Sequence, residues 1–204
     1  MRAELAFGGR RVFIYLAQPP MTLCVGSGKF KGRRLAVPRG PQRFSSSRTK
    51  KGLFDFLAPY LEGADVLDLF AGTGGLGIEA LSRGARFCLF VELDAKAAGV
   101  LKDNLSRLLP SEQYKVRKGD FRKALEHFFK TGRKFDLLLA DPPYQQEFLD
   151  ELSAVWLRFP VLQESGIFAL EHSKRTDFLA PENLALFESR RYGDTVISYF
   201  RLKR

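Results

Sequence analysis

Beyond Glu62-Gly63 the chain alternates short apolar runs with amphipathic stretches almost to its end, and this alternation constrains the fold more than any other feature. Strand candidates fall at 65–69, 86–91, 115–117, 135–140, 166–170, 185–191 and 195–202. Helical patterns lie between them at 76–83, 95–108, 121–131 and 146–159, with a short piece near 176–179. A run such as FDLLLA at 135–140 is apolar almost throughout, which is how a strand covered on both faces reads. Strands and helices in this order predict a doubly wound α/β sheet, mostly parallel, with helices on both faces. Only Tyr192-Gly193-Asp194 separates the last two runs, so they are expected to close the sheet as an antiparallel edge hairpin.

The net charge of +10 is distributed unevenly. Residues 1–60 hold 12 Lys and Arg against two acids, whereas 61–204 hold 21 of each sign, so the whole excess lies in the first sixty residues. Positions 28–51 contain nine basic residues and no acid. Such a run is either a solvated arm or a lobe that binds a polyanion, because clustered cations displace counterions from a phosphate chain. Two short strands are expected at 22–26 and 33–37, followed from Ser46 by a helix with Leu53, Phe54, Leu57 and Leu61 on one face. Arg10-Arg11-Val12-Phe13-Ile14 superficially resembles an export signal, but Gln18-Pro19-Pro20 interrupts it and no cleavage site follows. Patterned sequence begins at Met21, so residues 1–21 are expected to be an extension with no catalytic part, 22–60 a basic hairpin and helix, and 61–204 the α/β domain. No apolar run approaches the roughly 20 residues of a membrane span. Two cysteines cannot make a disulfide framework, and the two histidines show no zinc-ligand spacing. Cys24 and Cys88 are expected to be core thiols, and His127 and His172 structural or surface residues.

In an open α/β sheet, ligands bind beyond the C-terminal ends of the strands near the switch point. The first strand runs into Ala71-Gly72-Thr73-Gly74-Gly75-Leu76-Gly77, where Gly72, Gly74 and Gly77 satisfy G-x-G-x-x-G, and Glu92 follows at the end of the second strand. A pyrophosphate would avoid the carboxylate of Asp68 directly before this loop. An ammonium and sulfonium cofactor without phosphate would favour it, which turns the fingerprint from a nicotinamide toward S-adenosylmethionine. Asp68 can act on that ligand directly, through water, or as a brace for the loop. Glu92 offers two acceptor oxygens to ribose hydroxyls. Asp120 can accept from an adenine amine or cap the next helix.

After the fourth strand comes Asp141-Pro142-Pro143-Tyr144. Two prolines remove two backbone donors and stiffen the loop, leaving carbonyl oxygens to face outward. The Asp141 carboxylate and Pro142 carbonyl can then accept both hydrogens of an exocyclic amine, aiming its lone pair at an electrophilic methyl while positive charge develops on nitrogen. Tyr144 offers a surface on which a base stacks. Any exocyclic amine suits this loop, so N6 of adenine is open alongside N2 of guanine.

With these motifs the sequence resembles the class I S-adenosylmethionine-dependent methyltransferases, and more narrowly the RsmD family of 16S ribosomal RNA guanine-N2 methyltransferases. The resemblance rests on GKFKGRRL at 28–35, LFDFL at 53–57, VLDLFAGTGGLGIEALSRGA at 66–85, DPPY at 141–144 and RYGDT at 191–195. It implies a Rossmann-like methyltransferase sheet that passes a methyl group to N2 of a guanine taken out of its stack. Asp141, Pro142 and Tyr144 would be catalytic, and Asp68, Phe70, Gly72, Gly74, Glu92 and Asp120 would hold S-adenosylmethionine. Lys29, Lys31, Arg33, Arg34, Arg43 and Arg48 would bind RNA. The partner implied is 16S ribosomal RNA, free or within an assembling small subunit, and the protein is expected to be a cytoplasmic monomer that needs no metal. One stretch departs from the family: Arg43-Phe44-Ser45-Ser46-Ser47-Arg48 stands where an Arg-Pro-Thr segment with an acid and an arginine is usual.

Overall fold

The computed structural model describes residues 23–38 and 46–203, with the backbone of two further strands, β1 (Arg2–Phe7) and β2 (Arg10–Tyr15), that pair antiparallel. Of the two RNA-contact residues expected within the departing stretch, Arg48 is described and Arg43 lies outside the described residues, as do residues 8–9 and 16–21 of the N-terminal extension. A small hairpin follows, β3 (Leu23–Cys24) against β4 (Arg34–Leu35), and then helix α1 (Ser47–Leu57). Ser46 starts that helix by accepting from the Thr49 amide at 3.0 Å, satisfying one of its free N-terminal donors.

The central sheet has seven strands. β5 (Asp65–Asp68), β6 (Phe87–Glu92), β7 (Tyr114–Lys118), β8 (Phe135–Ala140) and β9 (Leu162–Ser173) run parallel, and β10 (Leu184–Tyr192) and β11 (Thr195–Leu202) close it. Their order is β10-β11-β9-β8-β5-β6-β7. β11 pairs antiparallel with both β9 and β10, so the C-terminal hairpin folds back with its second strand inside and its first at the edge. Alternate strand residues feed two cores. Val66, Phe90 and Leu139 pack with α1, α2 (Gly75–Ser82) and α3 (Ala95–Ser106), whereas Leu67, Leu138 and Phe168 pack with α4 (Phe121–Lys130) and α5 (Gln146–Arg158). Side chains from α1 share the first core with the sheet, so the basic segment is built onto the α/β layers rather than tethered to them. Among the described residues no helix is long and apolar enough to cross a membrane.

Two expected elements come out differently. β9 is longer than the apolar run 166–170 suggested, because Leu162 already pairs with Phe135, and a bulge carrying the exposed residues Gln163, Glu164 and Ser165 separates that pair from Leu137 and Ile167. The short helix near 176–179 does not form. There the chain makes a turn in which the Thr176 amide and hydroxyl both donate to the Ser173 carbonyl, and Gln146 exchanges two hydrogen bonds with the Asp177 backbone. Phe178 then inserts against Phe168 and Phe200, with ring centroids at 6.0 and 5.2 Å. A side chain anchored in the core and a backbone paired to a neighbouring side chain leave no need for helical hydrogen bonds.

Candidate active site

β5 pairs with β6 on one side and β8 on the other, so the switch point of the sheet lies at its C-terminal end. A cavity of about 780 Å³ opens there, lined among others by Asp68, Gly72, Glu92, Asp120, Asp141 and Tyr144. Four strand ends therefore deliver the carboxylates and the aromatic ring singled out in the sequence to one hollow.

Asp68 closes β5 and is buried. Its Oδ2 accepts from the Gly77 amide at 2.9 Å and so caps the first turn of α2, which makes it a loop brace. Its Oδ1 is buried with no hydrogen-bond partner among the described residues. Burial, joined by the charges of Asp141 and Glu92 and opposed by the Gly77 amide, raises the Asp68 carboxyl to about 7. A carboxyl poised at neutrality beside an unsatisfied oxygen is a ready receptor for a cation.

The glycines divide their labour. Gly72 has φ +53°, and a side chain added to it would meet nothing within 4 Å, because that space is the cavity. Gly74 has φ +91°, and a Cβ there would strike Leu101 and Ile78, so it is buried beneath the helix rather than lining the hollow. Gly77 lies in α2 with its Cα against β6: a Cβ would come within 2.2 Å of the Phe90 ring. The loop is stitched to β6 by Gly72 N–H donating to Glu92 Oε2 at 2.6 Å and Ala71 N–H to the Val91 carbonyl. Glu92 Oε1 accepts from Asp94 N–H at 2.7 Å, leaving each carboxylate oxygen one further acceptor site. Asp120 caps α4 by accepting from Arg122 N–H at 2.8 Å, and pairs with the Arg122 guanidinium at 2.6 Å. Phe70 lines the cavity and rests on Phe121, with centroids 5.0 Å apart.

In the loop after β8, Pro142 is buried and Asp141 and Tyr144 are half-buried, all three on the cavity. The Tyr144 hydroxyl donates to Glu171 Oε1 at 2.9 Å and lies 3.2 Å from Thr195 Oγ1. Burial raises the Tyr144 hydroxyl well above its usual value, so it is a neutral donor.

The basic hairpin borders the same hollow through Leu23, and Lys50 of α1 lines it too. Lys29, Lys31, Arg33, Arg34 and Arg48 are all exposed. Lys29 reaches Gln113 at 3.2 Å. With two-residue strands the hairpin has few ladder bonds of its own, and side chains of the sheet layer supply the rest. Gly26 N–H donates to Glu79, Phe30 N–H to Ser82, and Ala36 N–H to Asn104. Glu79, Ser82 and Asn104 sit on helices where hydrophobic spacing gives no signal for them. Cys88 is buried as expected, but Cys24 is exposed, because in so short a strand its side chain faces solvent while its carbonyl turns inward to Lys50 Nζ at 2.7 Å. His172 is buried and bonded to Ser198 Oγ at 3.0 Å. Among the described residues no group of three or more His, Cys, Asp or Glu is placed to hold a metal ion.

Comparison with known proteins gives the same picture. YlbH of Bacillus subtilis is 35% identical over 179 residues, 86% of this chain and 96% of its own length. Ribosomal RNA small subunit methyltransferase D of Haemophilus influenzae is 33% identical over 178 residues, 85% of this chain and 89% of its own. The solved structure of YhhF from Escherichia coli has 25% identity and a TM-score of 0.78, across 90% of this chain and 99% of that one. The family described as Conserved hypothetical protein 95 matches residues 23–201, and the chain belongs to it, the family that holds the ribosomal RNA small subunit methyltransferases D.

Proposed function

We propose that this protein transfers a methyl group from S-adenosylmethionine to the exocyclic N2 of a guanine in 16S ribosomal RNA. The observation that carries the reading is a single cavity where Asp68, Glu92 and Asp141 converge beside the D-P-P-Y loop, with a basic hairpin forming part of the rim. Three carboxylates around one hollow suit a cationic ligand and repel a pyrophosphate. The residues fit S-adenosylmethionine on two counts: Asp68 has a buried oxygen without a partner, and Gly72 leaves its missing side chain's space open to the cavity. Bound there, that cofactor supplies an electrophilic methyl group on a sulfonium. Asp68 would hold the ammonium, Glu92 the ribose hydroxyls, and the apolar wall near Phe70 the purine, with Asp120 fixing the start of α4 at that edge. Asp141 and the Pro142 carbonyl would grip the two hydrogens of the guanine amine and stabilise charge as it develops there. Tyr144 would flank the base, and the exposed cations of the hairpin and α1 would meet phosphates. The choice of N2 and of 16S RNA is supported by family membership and by the closing Y-G-D-T.

Nucleoside mass spectrometry of 16S RNA from cells with and without the protein tests the assignment. Loss of N2-methylguanosine is the expected result; unchanged N2-methylguanosine, or loss of N6-methyladenosine in its place, would refute it.

The carboxyl of Asp68 adds a pH dependence whose sign follows from its ligand. It must be ionised to hold an ammonium, and in the free protein it is half protonated near pH 7. Affinity for S-adenosylmethionine should therefore fall as pH drops below about 7, approaching tenfold per pH unit, as a proton must leave before binding. Calorimetric titration from about pH 5.5 to 7 checks this, and Asp68→Asn should bind more weakly but with a flat profile. A flat profile in the unaltered protein would remove Asp68 from cofactor binding.

A further inference from the structure

The Tyr144 ring is held by more than its own loop. Its hydroxyl, which carries one proton, donates to Glu171 at 2.9 Å, so the Thr195 hydroxyl at 3.2 Å is left to donate to the phenol oxygen. Glu171 lies in β9 and Thr195 opens β11. In the antiparallel register Glu171 faces Ile197 and Ser173 faces Thr195, so Glu171 and Thr195 are diagonal neighbours on one face of the sheet. Glu171 is 4% exposed and lies outside the residues that line the cavity. A buried carboxylate on a sheet face costs free energy unless bonded, and here one of its oxygens accepts from an active-site aromatic. The turn before Thr195 is itself fixed: a Cβ on Gly52 of α1 would meet the Tyr192 hydroxyl at 2.0 Å, so helix and hairpin are in close contact there. Lys174 N–H also donates to the Asp194 carbonyl.

We propose that Glu171 and Thr195 are positioning residues: gripping the Tyr144 hydroxyl from two adjacent strands, they fix the ring as a wall against which the target base is aligned. The C-terminal hairpin thereby becomes part of the substrate site, although none of its side chains need touch the base. The inference rests on the proposed reading of Tyr144 as the residue flanking the base. A tyrosine is required by this arrangement where stacking alone would accept phenylalanine, since only the hydroxyl can be anchored. Two fixed proline φ angles hold the loop at one end and the anchored hydroxyl at the other, so the ring has little freedom left.

The test is a double-substitution cycle read by single-turnover methyl transfer to 16S RNA, with S-adenosylmethionine affinity and thermal midpoint measured on each variant. Tyr144→Phe and Glu171→Ala should each slow transfer about tenfold or more through lost alignment, with cofactor affinity within about twofold of the parent. Because both remove the same hydrogen bond, the double variant should be no slower than the slower single one. Glu171→Gln keeps an acceptor oxygen and should recover most of the loss seen with alanine. Should Glu171→Ala fail to fold, Thr195→Val with Tyr144→Phe completes the same cycle. Multiplicative losses, or a Glu171 effect confined to the thermal midpoint, would overturn the inference while leaving the methyltransferase reading intact. An unaltered protein that transfers no methyl group to 16S RNA, whether free or within small-subunit particles, would instead refute the reading itself, and this inference with it.

Discussion

Asp141→Ala should slow methyl transfer by roughly 10²–10³-fold, the range seen when one preorganised polar group is removed from a transition state. The carboxylate stands on the cavity in a loop that two prolines stiffen, so it is positioned before substrate arrives. Without it the amine keeps only the Pro142 carbonyl, its lone pair is no longer aimed, and charge developing on nitrogen loses its counter-charge. Cofactor affinity should move the other way. The Asp141 charge helps raise the Asp68 carboxyl, so its removal lowers that carboxyl and leaves a larger ionised fraction at neutral pH. Asp141→Ala should accordingly bind S-adenosylmethionine as tightly as the parent, or more tightly below about pH 7. Asp141→Asn, which retains an acceptor but no charge, should fall between the two in rate. Single-turnover kinetics with equilibrium binding separates the effects. A rate within about threefold of the parent would show that orientation by this loop is not what drives the chemistry.

The parts of this site that could be read from the sequence are those whose chemistry and position coincide. Asp68, Glu92 and Asp141 each end or directly follow an expected strand, Asp120 comes two residues after β7, and the switch-point rule sends strand ends to one place. Glu171 also directly follows a run, 166–170, and from sequence it reads equally as a site residue or as a sheet-edge acid; what the sequence does not show is its partner. Glu171 and Thr195 meet Tyr144 from 27 and 51 residues away, and the register that brings them together is set only when β11 inserts between β9 and β10. Lys50 looked like one more cation in a basic run, yet it is buried while Lys51 beside it is exposed, because positions 49, 50, 53, 54 and 57 make up the inner face of α1 and 51 falls outside it. The roles of Gly74 and Gly77 were similarly merged by the fingerprint. The packing of α2 against α3 and β6 separates them from Gly72, which alone of the three opens onto the hollow.

Glu79→Ala should be strongly destabilising, and it should also loosen the RNA-facing lobe. Glu79 is fully buried in α2 and accepts from Gly26 N–H at 2.7 Å and Arg83 Nε at 2.9 Å, with Lys50 Nζ at 3.2 Å. Alanine leaves the buried Lys50 ammonium with the Cys24 carbonyl and no counter-charge, and the Gly26 amide without its acceptor. Removing one partner of a buried ion pair costs about 3–5 kcal/mol. In a chain of this size each kcal/mol lowers the thermal midpoint by about 2–4 °C, so a fall of roughly 6–20 °C is expected. Glu79→Gln preserves volume and one acceptor and should lose less. The hairpin carrying Lys29, Arg33 and Arg34 is tied to the sheet layer partly through this carboxylate. At temperatures where the variant stays folded, RNA affinity should therefore weaken and its dependence on salt should flatten, as fewer phosphates are neutralised together. Cofactor affinity should suffer less, because Asp68, Glu92 and the glycine loop are braced by other bonds. If Glu79→Ala melted within about 2 °C of the parent, the buried network would not be what docks the hairpin. An unchanged salt slope in a destabilised variant would separate docking from RNA binding and leave the exposed cations as a solvated arm.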